Sequence, residues 1–178
     1  LAHAAAHPGA DYLAVEVWET AIARLVTSIH RRGLHNVRVV PADASQLLAT
    51  ALPVSCASEV WVFFPDPWRK PRHRKRRLVT TAFADSVARV LRPGGCFSAS
   101  YIIRDDSVPW VRRLTALLRH YDPMAMRGDY GHKSLAAVDD SKYFPEVEHR
   151  AFRIWQTVSL DDLQQLVANQ PLSRKLSE

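Results

Sequence analysis

Three short β-rich runs, each closing on an acid and each followed by a different kind of segment, constrain this chain most. "DYLAVEV" (11–17) carries Glu16 near its end, "NVRVVPAD" (36–43) ends on Asp43, and "EVWVFFPDPW" (59–68) breaks at a Pro-Asp-Pro-Trp corner around Asp66. Between the first two, Ile22, Leu25, Val26 and Ile29 recur at helical spacing up to Gly33, a helix stop signal. "ASQLLATAL" and residues 78–91 also carry helical periodicity. Strands alternating with helices predict an α/β fold with a mostly parallel sheet. The third run is apolar on both faces, as a central parallel strand should be. "RPGG" (92–95) is read as a turn into a strand "CFSASY", and 108–120 as an amphipathic helix. Beyond Tyr121 turn residues dominate, and "AFRIWQTVSL" is expected to be a last strand.

Length and charge narrow the classes. The 178 residues, 47% of them apolar, suit a single folded domain over 1–178, and no apolar run approaches a membrane span of roughly 20 residues. Lys and Arg exceed Asp and Glu by six, which favours an anionic partner, nucleic acid before membrane. Cys56 and Cys96 are isolated, without zinc-ligand spacing, so no metal site is expected and a reducing cytoplasm fits. "LAHAAAHPGA" lacks an initiator Met and signal-peptide features and resembles the tail of an Ala-rich helix. The chain is therefore expected to begin inside a larger gene product.

Ligands of open parallel sheets bind beyond the carboxyl ends of the strands, where Glu16, Asp43 and Asp66 all fall. An acid in the position of Glu16 suits ribose hydroxyls, and Asp43 suits an exocyclic amine such as that of adenine. Solvated loop acids or helix N-caps remain the alternative for both. At the corner, Pro65 and Pro67 restrict the backbone around Asp66, while Trp68 offers a flat face for a base or for packing. A purely structural corner is the competing reading. The run "RKPRHRKRR" (69–77) holds seven Arg or Lys in nine positions and suits phosphate neutralisation. A solvated charge run or localisation signal is the alternative, but the run starts three residues after Asp66 at a strand end.

"FPDPWRKPRHRKRRLV" resembles the signature of the bacterial tRNA (guanine-N7-)-methyltransferases, and weaker similarity runs from "YLAVEV" through "LRPGG" to about Trp155. The resemblance implies a Rossmann-like S-adenosylmethionine-dependent fold and methylation of a guanine in the tRNA variable loop. It implies that Glu16 and Asp43 bind S-adenosylmethionine, that Asp66 lies where cofactor and guanine meet, and that Lys70 contacts substrate. Arg72, Arg74, Lys75, Arg76 and Arg77 are expected to grip the tRNA backbone. The family's Thr-Lys-Phe-Glu-x-Arg segment has its best counterpart in "PEVEHRA", which carries over Glu148 and Arg150; "SKYF" (141–144) is a competing alignment. The family's Thr-Asp pair is replaced by Ser100 and Tyr101, with Asp105 and Asp106 following.

The family's first strand and Gly-rich loop are missing from this chain, so an incomplete methyltransferase domain, marginally stable and weak in cofactor binding, is expected. A cytoplasmic monomer or homodimer is expected, with tRNA as partner. A truncated member that binds RNA without catalysis is the second reading. A methyltransferase acting on an exocyclic amine is the third, and the basic block fits it less well.

Overall fold

The computed structural model describes residues 1–66, 76–102, 105–121, 132–154 and 157–168. These fall into two compact units, Leu1–Val62 with Leu78–Ser98, and Phe63–Arg77 with Ala99–Glu178.

In the first unit, helix α1 (Ala2–Ala6) precedes strand β1 (Tyr12–Glu16), helix α2 (Glu19–Arg31) and strand β2 (Val37–Pro41). Strands β1 and β2 pair in parallel, from Tyr12 opposite Val37 to Glu16 opposite Pro41. Proline cannot donate to the ladder, and the next residue, Ala42, supplies its N–H to the Glu16 carbonyl at 3.1 Å. Helix α2 stops where the sequence says it should. Gly33 takes φ of +62°, and Leu34 N–H reaches the Ile29 carbonyl at 3.1 Å, the 6→1 bond of a Schellman turn. The Asn36 side-chain amide donates to the carbonyls of Ala4 (3.1 Å) and Ala10 (2.9 Å), while the Asn36 backbone carbonyl accepts from Tyr12 N–H at 2.8 Å. One side chain thus fixes the exit of α1 to the entry of β1.

Helix α3 (Ala44–Gln46) runs into a π-helical turn, Leu47–Ala51, and strand β3 (Ala57–Phe63) follows. Helix α4 (Thr81–Val90) leads directly into strand β4 (Leu91–Ser100), which pairs with β3. Thr80 caps α4 by accepting from Phe83 N–H at 3.2 Å. Phe83, Ala84, Val87 and Val90 then fall on one stripe, and all four are buried. They form the core with Val37, Leu48, Val62, Val79 and Leu91. Arg89 bonds the carbonyls of Leu48 and Leu52, the latter at 2.9 Å, and so satisfies the open end of the π-helical turn.

Two expectations change here. The sequence suggests one mostly parallel sheet, whereas the described residues form two two-stranded sheets, β1–β2 and β3–β4. "RPGG" belongs to β4 rather than to a turn before it. A Cβ at Gly95 would lie 2.8 Å from the Arg92 carbonyl oxygen and 3.0 Å from that of Ser58, so glycine here lets backbone approach backbone.

The second unit holds helices α5 (Pro109–Tyr121), α6 (His132–Asp139) and α7 (Leu160–Ala168). The expected strand "AFRIWQTVSL" does not form over its described residues 151–154 and 157–159, and Leu160 already begins α7. Ser159 and Asp162 explain that start. The Ser159 hydroxyl accepts from Asp162 N–H at 3.1 Å, and the Asp162 carboxylate accepts from Ser159 N–H at 3.3 Å, a reciprocal cap. Among the described residues no helix is long and apolar enough to cross a membrane.

Candidate functional site

Glu16 and Asp43 are brought to adjacent carboxyl ends of the β1–β2 pair. Glu16 is the last residue of β1, and Asp43 stands two residues beyond its register partner, Pro41. Each carboxylate is held by the backbone through one oxygen. Glu16 Oε1 accepts from Val17 N–H at 2.8 Å and Trp18 N–H at 3.0 Å. Asp43 Oδ1 accepts from Ser45 N–H at 2.8 Å and Gln46 N–H at 3.1 Å, which makes Asp43 the N-cap of α3. The helix-cap reading of Asp43 is therefore correct as far as Oδ1 goes. Oε2 of Glu16 and Oδ2 of Asp43 have no partner among the described residues. Two oriented acceptors with fixed backbone support can take hydroxyl or amine donors without reorganising, which suits a ribose and an adenine amine.

Asp66 belongs to the second unit and is exposed. Its approach is shaped by Phe64, a non-glycine residue at φ +51°, whose N–H bonds the Ser100 carbonyl at 2.9 Å. The left-handed conformation turns the chain sharply at the end of β3 and is held against its strain by that bond. Nothing in the sequence announced a left-handed Phe. The Ser100 hydroxyl, at the end of β4, is buried and meets no hydrogen-bond partner among the described residues.

Of the basic run, Lys70, Arg72, Arg74 and Lys75 lie outside the described residues, as does Trp68. Arg76 is exposed and Arg77 half-buried at the entry to α4. Glu148 and Arg150 are drawn together rather than presented separately. Arg150 Nε donates to Glu148 Oε1 at 2.6 Å and Nη2 to Oε2 at 3.1 Å, a bidentate pair on an exposed segment. Asp105 and Asp106 both lie just before α5. Asp105 Oδ1 accepts from Ser107 N–H at 3.0 Å and from the Ser107 hydroxyl, and these bonds hold its carboxyl below the ordinary aspartate range. Asp106 Oδ1 accepts from the buried Thr115 hydroxyl at 3.1 Å. Among the described residues, no group of three or more His, Cys, Asp or Glu is placed to hold a metal ion.

Two strand-end carboxylates lie side by side on a parallel pair in an α/β unit. Comparison with known proteins supplies the family. A family model described as "Putative methyltransferase" matches residues 1–116, and the chain belongs to this methyltransferase family. The tRNA (guanine-N(7)-)-methyltransferase of Arthrobacter sp. (strain FB24) is 56% identical over 91 residues, 51% of this chain and 28% of that protein. The enzymes of the same name from Paenarthrobacter aurescens (strain TC1) and Methylococcus capsulatus are 52% identical over 89 residues and 47% identical over 93. Those matches cover 50% and 52% of this chain, and 30% and 40% of the two relatives. The chain thus matches less than half the length of these curated relatives.

Proposed function

We propose that this chain contributes to methyl transfer from S-adenosylmethionine to N7 of a guanine in the tRNA variable loop, on a Rossmann-like methyltransferase fold. The observation that carries the reading is the pair Glu16 and Asp43, each pinned by backbone N–H groups at adjacent strand ends, in a chain of a methyltransferase family. Glu16 would hold the ribose hydroxyls and Asp43 the adenine amine. The cofactor supplies an electrophilic methyl group on a sulfonium. Guanine N7 presents a lone pair and needs no base to remove a proton first, so positioning and charge dominate the catalysis. Asp66 would hydrogen-bond the guanine edge and stabilise the positive charge that develops on the purine. Lys70, Arg72, Arg74, Lys75, Arg76 and Arg77 would neutralise tRNA phosphates, and Arg150, released from Glu148, would add to them.

A second reading, RNA binding without catalysis, draws on one observation. Asp105 and Asp106, the acids nearest the family's Thr-Asp position, are both engaged in hydrogen bonds, with Ser107 and Thr115 respectively. Incubating the chain with tRNA and saturating S-adenosylmethionine, then mapping methylated positions by primer extension, separates the two readings. Methylation at a variable-loop guanine supports transfer. Bound but unmethylated tRNA supports the binder.

A further inference from the structure

Helix α2 carries a second basic surface, remote from the run at 69–77 in sequence, whose Arg31 and Arg32 end points away from the acid pair. Between Thr20 and Ala42 the chain contains four arginines, Arg24, Arg31, Arg32 and Arg38, and no Asp or Glu. Arg24, Arg31 and Arg32 are exposed, and none has an ion-pair partner among the described residues. Arg24, Ser28 and Arg31 follow one another at i, i+4 and i+7 on one face of the helix. Ser28, Arg31 and Arg32 line a shallow open depression at the end of α2. The Ser28 hydroxyl already donates to the Arg24 carbonyl at 2.8 Å, so the two guanidinium groups are the donors left for an incoming anion. From Arg24 to Arg31 the helix rises about 10 Å, far enough for the arginines to meet different phosphates of one backbone.

The bland account is that cations at a helix C-terminus oppose the macrodipole. It covers Arg31 and Arg32, in or beside the last turn, but not Arg24, two turns earlier. A surface kept merely soluble would intersperse both signs of charge. The location adds a third argument. Helix α2 leaves the carboxyl end of β1 and returns to the amino end of β2, so Arg31 and Arg32 lie near Asn36 and Tyr12, where the strands begin. Glu16 and Asp43 lie at the other end, about 13 Å away along a five-residue strand, and Arg24 lies between the two ends on α2. A ligand held at the acid pair alone leaves Arg31 and Arg32 at the opposite strand end, whereas a folded RNA is large enough to reach them.

We infer that Arg24, Arg31 and Arg32 on α2 form an auxiliary RNA-backbone contact surface, separate from the candidate cofactor end of the strands. The inference rests on the proposed tRNA substrate for the identity of the RNA, but not on catalysis. It is tested with the full 178-residue chain by measuring tRNA affinity as a function of salt for the parent, the triple variant R24Q/R31Q/R32Q and the charge-keeping variant R24K/R31K/R32K. Far-UV circular dichroism checks that each is folded. With three phosphate contacts removed, the Gln variant should lose on the order of 10²-fold in affinity at 0.1 M salt and flatten the slope of log K against log salt by about 2–3. The Lys variant should keep the parent slope.

An unchanged slope in a folded Gln variant, or a loss of affinity shared equally by the Lys variant, overturns the inference. If anionic vesicles bind the parent in an Arg-dependent way while tRNA binding is indifferent to the substitutions, a membrane replaces RNA and the inference fails. Methylation of tRNA by the parent is scored in parallel. Methylation with an indifferent patch removes the inference and leaves the proposed function standing. Patch-dependent binding without methylation does the reverse, and a parent that binds no RNA removes both.

Discussion

The two compact units treat their apolar side chains differently. In the first, Val87 and Val90 of α4 are fully buried, with Phe83 3% exposed, and the stripe they form was readable from spacing alone. In the second, Phe152 is 80% and Ile154 77% exposed, on a segment without secondary structure. Among the described residues the second unit buries Leu118, Thr115 and Ser141, so its order leans on caps and ion pairs such as Ser159 with Asp162 and Glu148 with Arg150. A segment held by hydrophobic burial resists single polar changes poorly, while a segment held by exposed pairs hardly notices them. The first unit therefore holds most of the described hydrophobic core as well as the acids Glu16 and Asp43, while the corner at Asp66 lies in the second, where substitutions should act on function with little effect on stability.

The largest expected effect tests that division on stability. Phe83→Ala should destabilise the chain by about 3–5 kcal/mol in urea unfolding, whereas Phe152→Ser should stay within about 0.5 kcal/mol. Comparable losses in both would erase the contrast. Next comes function at the second unit's corner. Asp66→Asn should lower methyl transfer by about 10²–10³-fold while tRNA affinity and melting temperature hold. A parallel fall in stability would return the corner to a structural role.

A smaller effect separates the two duties of Asp43. Asp43→Asn keeps a capping oxygen, whereas Asp43→Ala loses it at about 1 kcal/mol. Cofactor binding, read by calorimetry, should weaken in both variants, because the amide offers the adenine amine a poorer acceptor. If only the Ala variant weakens binding, Asp43 acts through the helix start.

The smallest effect is on pH. Ser107 lowers the Asp105 pKa from its ordinary value, so its bond contributes stability above that value and loses it as pH falls through the lowered one. Acid titrations of parent and Ser107→Ala should differ at neutral pH and converge in strong acid. Curves that diverge as the pH drops would reverse the assigned sign.

Much of the first unit was legible because its signals are local and agree with one another. β1 ends at Glu16, α2 stops at Gly33, and Thr80 opens the buried stripe of α4. The acid pair was legible for the same reason, since parallel pairing of two short runs puts both carboxyl ends side by side. What was hidden depends on partners distant in sequence. Among the described residues the strands form two separate sheets, the left-handed turn at Phe64 is supported by Ser100, and Gly94 and Gly95 lie within β4 rather than before it. "AFRIWQTVSL" was expected to be a strand, but the Ser-x-x-Asp cap at 159–162 starts a helix. The bidentate pairing of Glu148 with Arg150 was also invisible, because spacing does not say whether two neighbouring charges turn to each other or to a ligand.

The central claim is that this chain serves methyl transfer to guanine N7 in tRNA. Its most direct test is incorporation of a radiolabelled methyl group from saturating S-adenosylmethionine into tRNA, followed by strand scission selective for N7-methylguanine. A single scission site in the variable loop, lost with Asp66→Asn in a variant that still binds tRNA, is the predicted result. Stable tRNA binding with no methyl incorporated, by parent and variant alike, would contradict it.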